Sequence, residues 1–196
     1  MKKFCFIAAS LALVASCRSV GYEDINPAIQ PNGNLLPLLD IRPDYRSIRA
    51  VYSKKGDERA ADAGNIFIKE VQENIIEPTG EKKGKIKMRL AYENTEFNNI
   101  CPVVASLAYI PAVFGFPFMC AQQTLEVEVT IQNNGKDIIK RYVEQATDSE
   151  YGALYWGYRQ RDVTRKVAAE NLKHALENIR YKINNDAAEI RSKLQQ

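Results

Sequence analysis

The sequence predicts an α+β domain: a mainly antiparallel sheet with two helices packed on one face, the second of them long and C-terminal. Three observations predict it. Gln122 to Gln132 places Leu125, Val127, Val129 and Ile131 on one face and Glu126, Glu128 and Thr130 on the other, the period of a half-buried strand. Asn133-Asn134-Gly135-Lys136 follows, and Ile138 to Ala146 resumes as a strand with Ile139, Arg141 and Val143 on one face. Asn-Gly tolerates the positive dihedrals of a tight turn, so the two strands form a hairpin. From Asp162 onward, Leu172, Leu176, Ile179, Ile183, Ala187, Ile190 and Leu194 step by three or four, the spacing of an amphipathic helix. The steps are not strict heptads, which favours packing on a sheet over a coiled coil. Asp162 with Lys166 and Glu189 with Lys193 are spaced to pair on its wet side.

The earlier elements follow in order. Leu35 to Ile41 is a short apolar run whose Pro37 suits an edge strand or a strand start. Ser47 to Tyr52 sets Ile48, Ala50 and Tyr52 against Arg49 and Val51 and reads as a second strand. Asp57 then caps a helix along which Ala60, Ala63, Phe67, Val71 and Ile75 recur. Pro78 and Gly80 end it. Gly80-Glu81-Lys82-Lys83-Gly84-Lys85 has the look of a phosphate loop, but it is one residue short, has Ile86 in place of the hydroxyl and precedes a strand. It is a basic turn. The strand after it, Lys85 to Tyr92, points Ile86, Met88, Leu90 and Tyr92 at the core. Tyr151, Tyr155, Trp156 and Tyr158 fill the seam between sheet and final helix, with a glycan or base platform as the alternative.

Residues 100–121 carry no charge. Their length suits a membrane span, yet Pro111, Gly115 and Pro117 oppose one straight helix. Three readings stay open: a bent segment packed over the domain, an excursion that meets a partner or the bilayer, and a transmembrane helix. As a contact, the segment offers Val104, Leu107, Tyr109, Ile110, Val113, Phe114, Phe116 and Phe118. Cys101 and Cys120 bracket it, and a disulfide between them would contribute on the order of 3 kcal/mol in the loop-entropy model. Two buried thiols are the alternative.

The first residues bear on location. Lys2 and Lys3 precede an apolar run from Phe4 to Val14, and Val14-Ala15-Ser16-Cys17 closes it with small residues, the order of a secretory leader. This ending resembles the lipobox of bacterial lipoproteins. The resemblance implies a diacylglyceryl group on the Cys17 sulfur, cleavage before it, and a fatty-acyl chain of the palmitate type on the new amine. A plain signal peptide, leaving Cys17 as a spare thiol, is the alternative. The expected organisation is a signal peptide over 1–16, a lipidated tether over 17–34 rich in Pro and Gly, and one α+β domain over 35–196 with the apolar insert 100–121. No Asp follows Cys17, which resembles lipoproteins sorted to the outer membrane, here with the body facing the periplasm. Element order is similar to small periplasmic domains of envelope-assembly lipoproteins, including the curli-secretion lipoprotein and the amino-terminal domain of the TolB protein. That resemblance carries no site residue.

Charge and chemistry narrow the class. Cutting Lys2 and Lys3 from the 27 basic residues leaves 25 against 24 acidic ones, too even a balance for nucleic acid as partner. His174, the single histidine, stands beside Lys173 near Glu170 and Glu177 on a helix face open to water. Catalytic or metal chemistry needs converging partners that it lacks. No nucleophile elbow or paired-His motif occurs, and Glu126 and Glu128 lie on a solvated strand face. The sequence therefore predicts no enzyme, cofactor or metal. It predicts a lipid-anchored protein that acts by binding a protein partner or itself through 101–120, or, alternatively, a subunit of an envelope transport or secretion complex with that segment inserted in the membrane.

Overall fold

A four-stranded sheet in the order β1-β2-β3-β4 forms the body. The computed structural model describes residues 34–52, 57–99, 119–135, 137–152 and 160–195. The strands are β1 (Leu39–Pro43), β2 (Gly84–Asn99), β3 (Met119–Asn133) and β4 (Ile138–Gly152). Helices α1 (Tyr45–Tyr52), α2 (Asp57–Asn74) and α3 (Gln160–Leu194) complete the described elements. β1 runs parallel to β2, and the other neighbours are antiparallel. This is the expected α+β class with a mainly antiparallel sheet and a long C-terminal helix, with a third helix added.

The helix that was not expected is α1, where alternation over Ser47 to Tyr52 predicts a strand. The same residues also fit a helix, since Ile48 and Tyr52 are four apart and are its buried pair. Asp44 decides the choice. Its Oδ1 accepts from the amides of Arg46 (3.1 Å) and Ser47 (3.3 Å), the geometry of an N-cap. Ser47 Oγ accepts from the Leu90 amide at 3.3 Å, and the Asp44 amide donates to Met88 O at 2.8 Å, so the helix start also covers part of the β2 edge. Of the Leu35–Ile41 run, only Leu39 onward joins the sheet, at its edge, as Pro37 suggests.

Ile86, Met88 and Leu90 of β2 and Leu125, Val127, Val129 and Ile131 of β3 face the helices and are buried. The core closes with Phe67 and Val71 of α2 and with Leu172, Leu176, Ile179, Ile183 and Ile190 of α3. Gly84 permits the tightest contact: a Cβ there would lie 2.2 Å from Gln132 O and 2.9 Å from Leu194 Cδ2. After α2 the chain turns at Gly80, whose φ of 138° favours a residue without a Cβ.

Two irregularities re-aim side chains against simple alternation. Leu90 pairs with Val127 but Tyr92 pairs with Glu126, so Ala91 is an extra residue in β2. The bulge turns Tyr92, expected in the core, out to 51% exposure, and it turns Glu93 in. In β4 a second shift separates Ile131↔Lys140 from Gln132↔Ile138. The face bearing Arg141 and Val143 looks to water, whereas Tyr142 and Ala146 face α3. Tyr142 Oη donates to Asp186 at 2.9 Å, and Lys140 reaches Glu189 at 2.8 Å. The core-facing side of this edge strand is thus largely polar and fastens to the rim of α3, which hides it from an apolar pattern.

Between the helices lies an ion pair of which each member is about 4 to 5% exposed: Arg180 Nη1 of α3 contacts Glu70 Oε1 of α2 at 3.0 Å. Asn74 donates to the other Glu70 oxygen at 2.8 Å. Burial raises the Glu70 pKa, and Arg180 and Asn74 oppose the rise. Of the two helix-surface pairs expected on α3, Lys193 meets Glu189 at 2.7 Å, whereas Lys166 meets Glu150 of β4 at 3.0 Å.

Candidate functional site

The long strands give the body two poles. At one, Gly84 pairs with Leu39 and with Asn133, and the chain enters through Leu36, which bridges to Ile76. At the other, Asn99 pairs with Met119 and Met119 with Gly152. The 16 residues of β2 separate these poles by roughly 50 Å at about 3.3 Å per residue. The expected tether precedes the first pole in sequence; Asn99 and Met119, the described residues that flank the apolar segment, lie at the second.

Asn99 and Met119, which bracket residues 100–118, are direct partners in adjacent strands; the segment itself, with its three readings, lies outside the described residues. Cys101 and the contact candidates Val104, Leu107, Tyr109, Ile110, Val113, Phe114, Phe116 and Phe118 lie outside the described residues, as does Cys17. Cys120, a free half-buried thiol, pairs through the backbone with Asn98 and Tyr151. Among the described residues, no helix is long and apolar enough to cross a membrane.

Nearer this pole, the Ala91 bulge builds a polar network inside the sheet–helix layer. Glu93 Oε1 accepts from Arg59 of α2 at 2.9 Å, from Thr95 Oγ1 at 3.0 Å and from Gln123 Nε2. Asn171 of α3 donates to Gln123 O at 2.7 Å, while its buried Oδ1 has no partner among the described residues. The Arg59 guanidinium stacks 4.9 Å above the Tyr52 ring, a favourable cation–π placement. Arg165 grips Asp62 alongside, at 2.5 and 3.0 Å. Between these groups is a cavity of about 10 Å³, space for roughly one water molecule. The network joins β2, β3, α2 and α3, and its carboxylates are taken up by guanidinium and amide donors. Its hydroxyl, Thr95 Oγ1, donates to a Glu93 oxygen that Arg59 and Gln123 also hold.

Sequence reading missed this network because strict alternation sends Glu93 to water, while Gln123 is a polar residue in the inward row of Leu125 and Asn171 a polar residue on the core side of α3. The signal is negative: once the bulge is allowed for, the inward positions 93 and 95 carry Glu and Thr in place of apolar residues. His174 lies at a solvated position, 57% exposed and 3.7 Å from Asp148. Among the described residues, no three His, Cys, Asp or Glu side chains converge on a metal-sized point.

The described helices pack on the core side of the sheet, and the opposite face is open. Its rows follow from the register. Asp40–Lys85–Gln132 lies near the tether pole, followed by Arg42–Lys87–Thr130–Arg141 and Arg89–Glu128–Val143. Tyr92–Glu126–Gln145, Asn94–Thr124–Thr147 and Glu96–Gln122–Ser149 continue toward the apolar segment. The tether half therefore holds Arg42, Lys85, Lys87, Arg89 and Arg141 against Asp40 and Glu128. The far half has no cation. Asp40 takes up Arg42 (2.6 Å) and Lys82 (3.3 Å), and Arg42 holds its carboxyl below the ordinary range. Glu128 takes up Arg141 at 2.7 Å. Lys85, Lys87 and Arg89 have no charged partner among the described residues. Around the β1 edge at the same pole, Leu38, Leu39, Ile41, Ile76 and Pro78 line an open groove of about 350 Å³ with Lys82 on its rim.

No protein-family model matches the sequence, and no curated protein does. Among solved structures, a candidate lipoprotein of Caulobacter crescentus CB15 is similar at 6% identity and a TM-score of 0.37, over 91% of this chain and 97% of that one. A minor lipoprotein of Acinetobacter baumannii is similar at 7% identity and a TM-score of 0.32, over 81% and 95%. Similarity this slight assigns neither a fold family nor a function.

Proposed function

We propose that this chain is a lipid-anchored protein of a bacterial outer membrane, facing the periplasm, that acts by binding rather than catalysis. Acyl chains on Cys17 hold it, and the apolar segment 101–120 makes the contact. The observation that carries the contact role is an uncharged run hung between paired strands, Asn99↔Met119, at the pole away from the tether. A long apolar excursion at the tip of a body is the arrangement of a docking element. The polar network beneath it, anchored by Glu93, fastens the two strands to α2 and α3. Several acyl chains on one residue give durable anchoring at about 0.8 kcal/mol per buried methylene.

Metabolic labelling with a clickable fatty acid tests the anchor. Wild type becomes labelled and Cys17→Ser stays dark; a dark wild type overturns the anchor. Crosslinking in intact envelopes tests the contact. Wild type yields an adduct that Phe114→Asp with Phe116→Asp abolishes, and an adduct unchanged by both substitutions refutes it. A ladder of self-adducts that is lost with the same substitutions assigns the segment to a membrane-inserted ring, the transport-complex reading that its adjacent ends also allow.

A further inference from the structure

We infer that the basic half of the open sheet face docks on anionic headgroups of the bilayer that holds the anchor, so that the sheet lies against the membrane. The inference rests on the reading of Cys17 as the anchor. Three observations carry it. First, no described element covers this face of the sheet, although each helix packs on the other. Second, its charge is graded. Among the described residues, the five cations of the face, Arg42, Lys85, Lys87, Arg89 and Arg141, stand in the half nearer Gly84. Lys85, Lys87 and Arg89 lie on alternate residues of one strand and find no carboxylate among the described residues. Their cross-strand neighbours Asp40 and Glu128 are already held by Arg42, Lys82 and Arg141, which leaves these three cations available to an external anion. Third, the chain enters at that same pole through Leu36. Residues 17–33 reach at most about 60 Å when fully extended, so an anchored body keeps this patch within reach of the membrane surface at high effective concentration.

The charge balance of the whole chain conceals the patch, because the acidic residues that offset it lie outside it, among them Glu96 and Glu126 on the far half of the same face. An anionic bilayer is the surface that the position favours. Each cation near such a surface strengthens partition by roughly fivefold, and salt screens the effect within about a Debye length.

The test uses the chain from residue 17 with Cys17→Ser, so its outcome does not depend on acylation, which the fatty-acid labelling reads separately. Sedimentation with vesicles rich in phosphatidylglycerol is compared with pure phosphatidylcholine vesicles at low salt. The expected result is binding to the anionic vesicles alone, lowered about a hundredfold by Lys85→Gln, Lys87→Gln and Arg89→Gln together. Equal binding to both vesicle types assigns membrane contact to the apolar segment and overturns the inference. So does an unchanged triple variant, or no binding to anionic vesicles. If the triple variant melts early, wild-type binding as a function of salt decides instead: it falls steeply with ionic strength, and a flat salt response overturns the inference.

Discussion

Arg180 and Glu70 offer the sharpest test of how α2 is held to α3. Both lie almost wholly out of water, with Arg180 Nη1 and Glu70 Oε1 3.0 Å apart. The remaining Glu70 oxygen is used by Asn74, and the remaining guanidinium edge meets Glu177 at 3.3 Å, on a side chain 56% exposed. Replacing Glu70 with Leu therefore strands a buried guanidinium with one solvent-screened partner. Breaking such a pair costs about 3–5 kcal/mol, because the desolvation already incurred by the survivor is no longer offset. With a urea slope of about 2 kcal/mol per molar, the unfolding midpoint falls by roughly 2 M. Arg180→Met gives a loss of similar size at pH 7, but one that depends on pH. Burial already raises the Glu70 pKa above its ordinary 4.5, and Arg180 is the largest opposing influence. Without it the carboxyl titrates higher still. The folded state then keeps a proton that the unfolded chain has released, so stability is greatest below 4.5 and declines as pH rises through the elevated value. The Arg180→Met deficit accordingly shrinks on acidification from pH 7 toward 4.5. The double variant Glu70→Leu with Arg180→Met recovers most of the loss, since two apolar side chains leave no charge stranded. Equilibrium urea unfolding at several pH values measures all of this. Single variants that each cost under about 1 kcal/mol and simply add in the double would refute the reasoning.

Further outcomes are as specific. Gly84→Ala drives a Cβ against Gln132 O at 2.2 Å; it destabilises by about 1–3 kcal/mol, and an unchanged melting temperature would show that the strands part freely there. Asp44→Ala removes the cap acceptor of Arg46 and Ser47 and costs about 1 kcal/mol in urea unfolding. Glu189, hydrogen-bonded to Lys140 and then Lys193, has its pKa lowered to about 2. Its carboxyl carbon resonance should titrate near that value, with the favourable interaction present above the ordinary 4.5 and lost as pH falls toward 2. Lys140→Ala moves the midpoint upward, and a wild-type midpoint near 4.5 would contradict the contact.

What the sequence determined by itself was whatever a local period or a local turn can specify. Leu125, Val127, Val129 and Ile131 are buried as their alternation demands, Asn133-Asn134-Gly135 joins the hairpin, and Leu172 to Leu194 line one face of α3. The class, the hairpin and the final helix follow from those signals, because each rests on neighbours within a few residues. Tertiary structure decided the rest. Ser47 to Tyr52 fits both periods, and Asp44, with the β2 edge beside it, chose the helix. One extra residue, Ala91, reversed the facing of the residues that follow it, sending Tyr92 to water and Glu93 to Arg59 and Gln123. The same limit governs function. A leader ending at Cys17 can be read residue by residue, but the gathering of Arg42, Lys85, Lys87, Arg89 and Arg141 on one open face exists only once three strands from distant parts of the chain lie in register, since a patch of charge is a property of a surface.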